Sequence, residues 1–242
     1  MLVSAAVCPH PPLLVPDLAE ENAEELEDLR VACLGAIDAV RATEPELLVV
    51  VGTGAATRHH RTGTKGSFAS FGLDLGVALP GGDAAVDLRG VDEDDLPLAL
   101  AVGAWLLEKS GWTGQVRGLE VDVAAPTAEC RLLGAAVAQE ADRVGLLVMG
   151  DGSARRSTEA PGYFDPRAEP FDASVVEALR AGDPAGLLTL DPGLARELQA
   201  AGRAAWQVLA GAAGEVLFDA EVAYDSAPYG VGYVVAVWER HG

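Results

Sequence analysis

Three short runs of this chain are apolar almost without interruption: Leu2 to Val7, Leu47 to Val51 and Val144 to Met149. A strand with one solvated face alternates polar and apolar residues. A strand that does not alternate must be covered on both sides. Each run also stops abruptly, at Cys8-Pro9-His10-Pro11-Pro12, at Gly52-Thr53-Gly54 and at Gly150-Asp151-Gly152-Ser153. Proline cannot continue a ladder, and glycine after a strand marks a turn. Buried strands of this kind belong in an α/β fold: a central, mostly parallel or mixed sheet flanked by helices on both faces.

The segments between the runs supply those helices. From Glu20 to Arg41, the residues Leu26, Leu29, Cys33, Ile37 and Val40 recur at helical spacing. Glu20, Glu21, Glu24 and Glu25 occupy the first turns, where negative charge suits the helix dipole. Further helices are expected from about Asp94 to Lys109 with Asp92 as cap, over Thr127–Glu140, near Ala173–Ala181 and over Gly193–Leu209. Ser67–Leu79 has room for one or two strands, and Gly81–Gly90 reads as a polar connection. Two β-rich runs, Glu215–Ala223 and Val231–Trp238, close the chain across Asp225–Gly230. With no repeat and no long linker, residues 1–242 read as one domain. A chain of this length buries roughly three quarters of its unfolded surface without help from metal or disulfide.

The 37 acidic residues outnumber the 17 basic ones and give a net charge of -20. Such a surface repels phosphate backbones and anionic lipid, so neither nucleic acid nor membrane is expected as a partner. Cys8, Cys33 and Cys130 are odd in number, widely spaced and free of any C-x-x-C, which fits a reducing cytoplasm better than a disulfide framework. No stretch reaches the roughly 18 apolar residues of a membrane span.

In open α/β sheets, sites form beyond the carboxyl ends of the strands. The three turns therefore nominate His10, Thr53 with its flanking glycines, Asp151 and Ser153. His10 stands among three prolines, Pro9, Pro11 and Pro12, whose stiffness suits a metal ligand or a base. His59 and His60 are adjacent, so their side chains diverge and one metal rarely takes both. His241 is next to last. No G-x-S-x-G elbow, P-loop, H-E-x-x-H or G-x-G-x-x-G after the first strand occurs.

Three blocks in order resemble the class III extradiol ring-cleavage dioxygenase superfamily, typified by the catalytic subunit of protocatechuate 4,5-dioxygenase, and its Memo-like branch in particular. They are Ala6-Val7-Cys8-Pro9-His10-Pro11-Pro12-Leu13-Leu14-Val15-Pro16, Gly150-Asp151-Gly152-Ser153 with the following Ala160–Arg167 and Phe171-Asp172, and Ala227–Ala236. The resemblance implies a three-layer fold of the kind also seen in phosphorylases, a homodimer, and a non-haem Fe(II) site. There two histidines and a carboxylate hold the metal and a further histidine serves as acid/base.

Carried over residue by residue, His10 matches the first metal histidine. The second should follow the Leu47–Val51 strand, where this chain has Gly52-Thr53-Gly54. The acid/base histidine should follow Gly-Asp-x-Ser, where this chain has Ala154. Asp225 or Glu221 matches the carboxylate. His59 or His60 would have to fold back over a reach of up to roughly 17 Å to replace the second histidine. The resemblance therefore implies a degenerate metal site and a protein that is not a competent catechol dioxygenase, binding a small aromatic or other ligand without metal. An alternative is an active enzyme using Fe(II) or another divalent metal, with His10, Asp225 and His59 as ligands and Asp151 as base. A third reading is a metal-independent hydrolase or isomerase using Asp151, Ser153 and His10.

Overall fold

The computed structural model describes residues 1–19, 24–81, 96–216 and 218–241. The strands are β1 (Leu2–Cys8), β2 (Leu47–Gly54), β3 (Arg58–His60), β4 (Lys65–Ser67), β5 (Gly76–Ala78), β6 (Val116–Asp122), β7 (Val144–Met149), β8 (Phe218–Ser226) and β9 (Tyr233–Arg240). The helices are α1 (Pro16–Ala19), α2 (Glu27–Ala42), α3 (Leu98–Lys109), α4 (Thr127–Val137), α5 (Ala168–Arg180), α6 (Pro184–Leu188), α7 (Pro192–Glu197) and α8 (Arg203–Ala213).

Seven strands form one mixed sheet in the order β3-β6-β2-β7-β1-β9-β8. The four central strands run parallel, while β3, β9 and β8 add antiparallel edges. The three apolar runs are thus β1, β2 and β7, side by side at the centre, and each is buried along nearly its whole length. One core fills the space between the sheet and α4, α5 and α8. The other fills the space between the sheet and α2 and α3. This is the α/β sheet with two covered faces that the strand pattern implies.

Some boundaries moved for identifiable reasons. The helix expected over Gly193–Leu209 is two helices, α7 and α8, because Gln199 adopts a left-handed φ of 56° between them. β6 is a strand that pattern alone conceals, since Arg117 and Glu120 break its apolar run. β4 and β5 pair as a separate antiparallel hairpin; β5 lies inside the Ser67–Leu79 segment expected to hold one or two strands, whereas β4 begins ahead of it and shares only Ser67. Asp92, the start of the helix expected from about Asp94, most of Gly81–Gly90, and Glu20 and Glu21 lie outside the described residues.

Helix α3 is apolar all round and buried from Ala99 to Leu107. It packs so closely on β2 that a Cβ at Gly52 would sit 2.7 Å from the Ala99 Cβ. The first glycine of the Gly52-Thr53-Gly54 turn therefore serves helix packing rather than a ligand. At the other edge, Trp238 is fully buried, donates Nε1–H to the Leu179 carbonyl at 2.7 Å, and stacks on Phe218 with ring centroids 5.7 Å apart. A fully buried side chain of this size contributes roughly 3 kcal/mol through the apolar area it removes from water. The contact locks α5 onto β8 and β9. Among the described residues, no helix is long and apolar enough to cross a membrane.

Candidate functional site

The parallel register of β1 and β7 sets Cys8 opposite Met149. Two residues further, His10 and Asp151 leave neighbouring strand ends and must meet. Asp151 Oδ1 accepts the backbone N–H of His10 at 2.7 Å, and the His10 Nδ1 lies 3.5 Å from the same oxygen. That second distance is too long for a useful hydrogen bond. His10 is 7% exposed, and its Nδ1 has no hydrogen-bond partner among the described residues. Behind the pair, burial pushes the Tyr233 phenol above its ordinary range, with the Asp151 charge adding to the effect.

Ser153, two residues along the same turn, is fully buried. Its backbone N–H and its hydroxyl both donate to Asp172 on α5, at 2.8 and 2.7 Å, and Arg156 adds a longer bond to the same carboxylate. Burial raises the Asp172 carboxyl above its ordinary range, against the opposing pull of the Ser153 bonds and Arg156. The Ser153 hydroxyl therefore ties α5 to the strand end and is not presented to a substrate. Asp225 lies exposed on the edge strand β8, beside a hollow of about 10 Å³ that Asp172 also lines. A space that small holds about one water and no organic ligand.

The adjacent histidines part company on β3, as neighbouring strand residues do. His59 is exposed, whereas His60 is buried with its Nε2 3.2 Å from Glu120 Oε2. Glu120, on β6, is 1% exposed, and the same oxygen accepts from Arg58 Nε at 3.1 Å. Its other oxygen accepts the Ala56 N–H at 3.3 Å. Gly54 has no side chain because a Cβ there would run into this carboxylate. The last glycine of the turn is thus fixed by Glu120, which holds the edge strand β3 to the sheet.

Thr53, between those glycines, points to the opposite face and donates its hydroxyl to the Ala201 carbonyl at 3.1 Å. Ala201 precedes α8, and the Gly202 N–H donates to the Asp151 carbonyl at 2.8 Å. These two bonds seat the start of α8 on the strand ends. Beside it opens a cleft of about 420 Å³ whose lining includes Val123 and Ala124 beyond β6, Arg196 and Gln199 from α7 and the loop after it, and Arg203 at the start of α8.

Among the described residues, no three His, Cys, Asp or Glu side chains gather so as to hold a metal ion. His10, Asp225 and His59, the expected ligands, are not brought into one group. Of the expected site residues only His10 and Asp151 come together. A two-histidine, one-carboxylate centre needs three protein donors on one face of the metal, and the residues present do not fit it. Glu120 and Arg203 escaped the reading of the sequence, and Asp172 entered it only within a resembling block, with no role. An arginine in the first turn of a helix, where acidic residues are favoured, is the signal that could have found Arg203.

No protein-family profile matches the sequence, and no curated protein matches it. The fold is similar to that in the crystal structure of the uncharacterized protein JW3007 from Escherichia coli K12. That match has a TM-score of 0.59 and 14% identity, over 98% of this chain and 99% of the other. Likeness at that identity establishes the architecture alone.

Proposed function

We propose that this chain is a divergent relative of the class III extradiol dioxygenases that retains the fold and its strand-end crevice without the metal centre. It binds a small molecule there and does not cleave catechol rings. The observation that carries this reading is the turn Gly52-Thr53-Gly54. It stands where the resemblance calls for a turn bearing the second metal histidine and holds none: the Thr53 hydroxyl joins β2 to the Ala201 carbonyl ahead of α8, and Gly54 leaves no room for a side chain beside Glu120. The position has become part of the scaffold. Ala154, where the acid/base histidine is called for, cannot move a proton.

A second reading, an iron enzyme with rearranged ligands, draws on the unpartnered Nδ1 of His10 and its proximity to Asp151. Oxygen consumption separates the two. Protein incubated anaerobically with Fe(II), then given oxygen and a panel of catechols, is expected to consume no more oxygen than Fe(II) alone. Sustained uptake with ring-cleavage absorbance, lost in His10→Ala, would establish the second reading instead.

A further inference from the structure

Arg203 is 3% exposed yet has no carboxylate within ion-pair distance among the described residues. Its Nη1 donates to the Ala125 carbonyl at 2.5 Å and to Gln207 Oε1 at 3.2 Å, with Cys130 Sγ at 3.8 Å. Its Nη2 donates to the Val123 carbonyl at 2.6 Å. All four partners are neutral. A guanidinium carries five N–H donors, so the Nε–H and one Nη2–H are left without a partner among the described residues. Burying a cation without a counter-charge is costly, and carbonyl dipoles offset that cost only in part.

The cation lines the 420 Å³ cleft, which falls within the usual range of roughly 300–1,000 Å³ for small-molecule sites. The rest of the cleft agrees with the charge. Arg196 lines it, exposed and without a carboxylate partner among the described residues, and the lining contains no Asp or Glu. In a chain of net charge -20 this is a local reversal of sign. Gln199, held at a left-handed φ of 56°, also faces it. The first turn of α8 carries no capping side chain. The remaining lining is mainly alanine, valine, proline and glycine.

We propose that this cleft binds an organic monocarboxylate with an apolar body, its carboxylate completing the coordination of Arg203 and its body lying against the Val123–Ala124 and Pro192–Gly193 walls. Two spare donors on one planar fork match the two oxygens of a carboxylate. A single buried cation with one rim cation suits one negative charge better than a phosphate's two. The inference deepens the binding reading above by naming the ligand class, and it does not depend on the fate of His10.

The test is calorimetric titration of the whole chain with octanoate and benzoate, alongside octanamide, benzamide and inorganic phosphate. Two variants accompany it. Arg203→Met removes the cation. Ala124→Trp fills the mouth from an exposed position and leaves every Arg203 bond in place, so it reports even if the first variant folds poorly. The expected result is saturable binding of a carboxylate at least tenfold tighter than its amide, and loss of at least tenfold in Ala124→Trp. Equal affinity for acid and amide, tighter binding of phosphate, unchanged binding in Ala124→Trp, or no saturable carboxylate binding at millimolar concentration would each overturn the proposal. Stoichiometric iron at His10 would overturn the functional reading and leave this one standing, so the two failures are distinguishable.

Discussion

The carboxylates near the carboxyl ends of the strands and the arginine at the start of α8 are all largely sheltered from water but differently provided for. Asp151, Glu120 and Asp172 each accept bonds from the protein's own donors, and each fastens one element to another: the β1 loop to β7, β3 to β6, and α5 to the strand end. Arg203 faces an open cleft with donors in hand and no negative partner among the described residues. Groups that suit acid/base or metal chemistry by type can be fully occupied by structure. Arg203, which lies outside the expected metal site, keeps unused donors beside the cleft. If this contrast is sound, changing the carboxylates should alter stability and spare ligand binding, and changing the arginine's cleft should do the reverse.

The largest effect is expected at Glu120. Glu120→Ala leaves His60 buried without its partner and frees β3 from the sheet edge, at a cost of about 3 kcal/mol, read as a fall in the urea midpoint at unchanged carboxylate affinity. A catalytic Glu120 would instead show near-wild-type stability with altered binding.

Ser153→Ala is expected to cost about 1–2 kcal/mol, because Asp172 loses a buried donor. Its pH dependence sharpens the point. The carboxyl of Asp172 is raised in the folded protein, so its contribution to stability is present below the ordinary carboxylate range and is lost as pH rises through the raised value. The Ser153 hydroxyl favours the ionised form. Its removal should therefore matter more as pH rises through that titration and less in acid. A Ser153→Ala protein as stable as wild type at neutral pH would show the bond to be idle.

The smallest effect is expected at Asp165. Its carboxylate pairs with Arg167, which also reaches Glu197 on α7 and so steadies one wall of the cleft. The Arg167 side-chain bond, with the Arg167 backbone N–H, holds the Asp165 carboxyl down at about 2. A lowered value stabilises the fold above the ordinary 3.8 and ceases to do so as pH falls through about 2. The Arg167 side chain is 52% exposed and solvent screens the pair from that side, so Asp165→Asn should shift the urea midpoint only slightly, the difference from wild type fading in that acid window and under salt. A large, salt-resistant loss would mean that the tether is structural in its own right.

The reading of the sequence succeeded where burial was two-sided. Val144–Met149 coincides with β7 to the residue, since a run of five apolar side chains broken only by Gly145 fits little else. It failed at β6, the neighbour of β2 and carrier of Glu120, because a buried glutamate and a surface arginine look like a loop in one dimension. The pairing of His10 with Asp151 follows from strand register, which no local pattern encodes. The glycines of the second turn read as a turn device at a candidate site, and Ala99 and Glu120, distant in sequence, dictate both of them. Arg203 read as one helical residue among many because its isolation depends on what the other acidic residues do elsewhere.

The proposed function holds that this fold carries no working metal centre at its strand ends. Its most direct test is anaerobic calorimetric titration of the metal-free protein with Fe(II), run beside His10→Ala. The account predicts well under one equivalent bound at micromolar affinity, with the same trace in the variant. Near-stoichiometric uptake that disappears in His10→Ala would contradict it and place a working ligand set around His10.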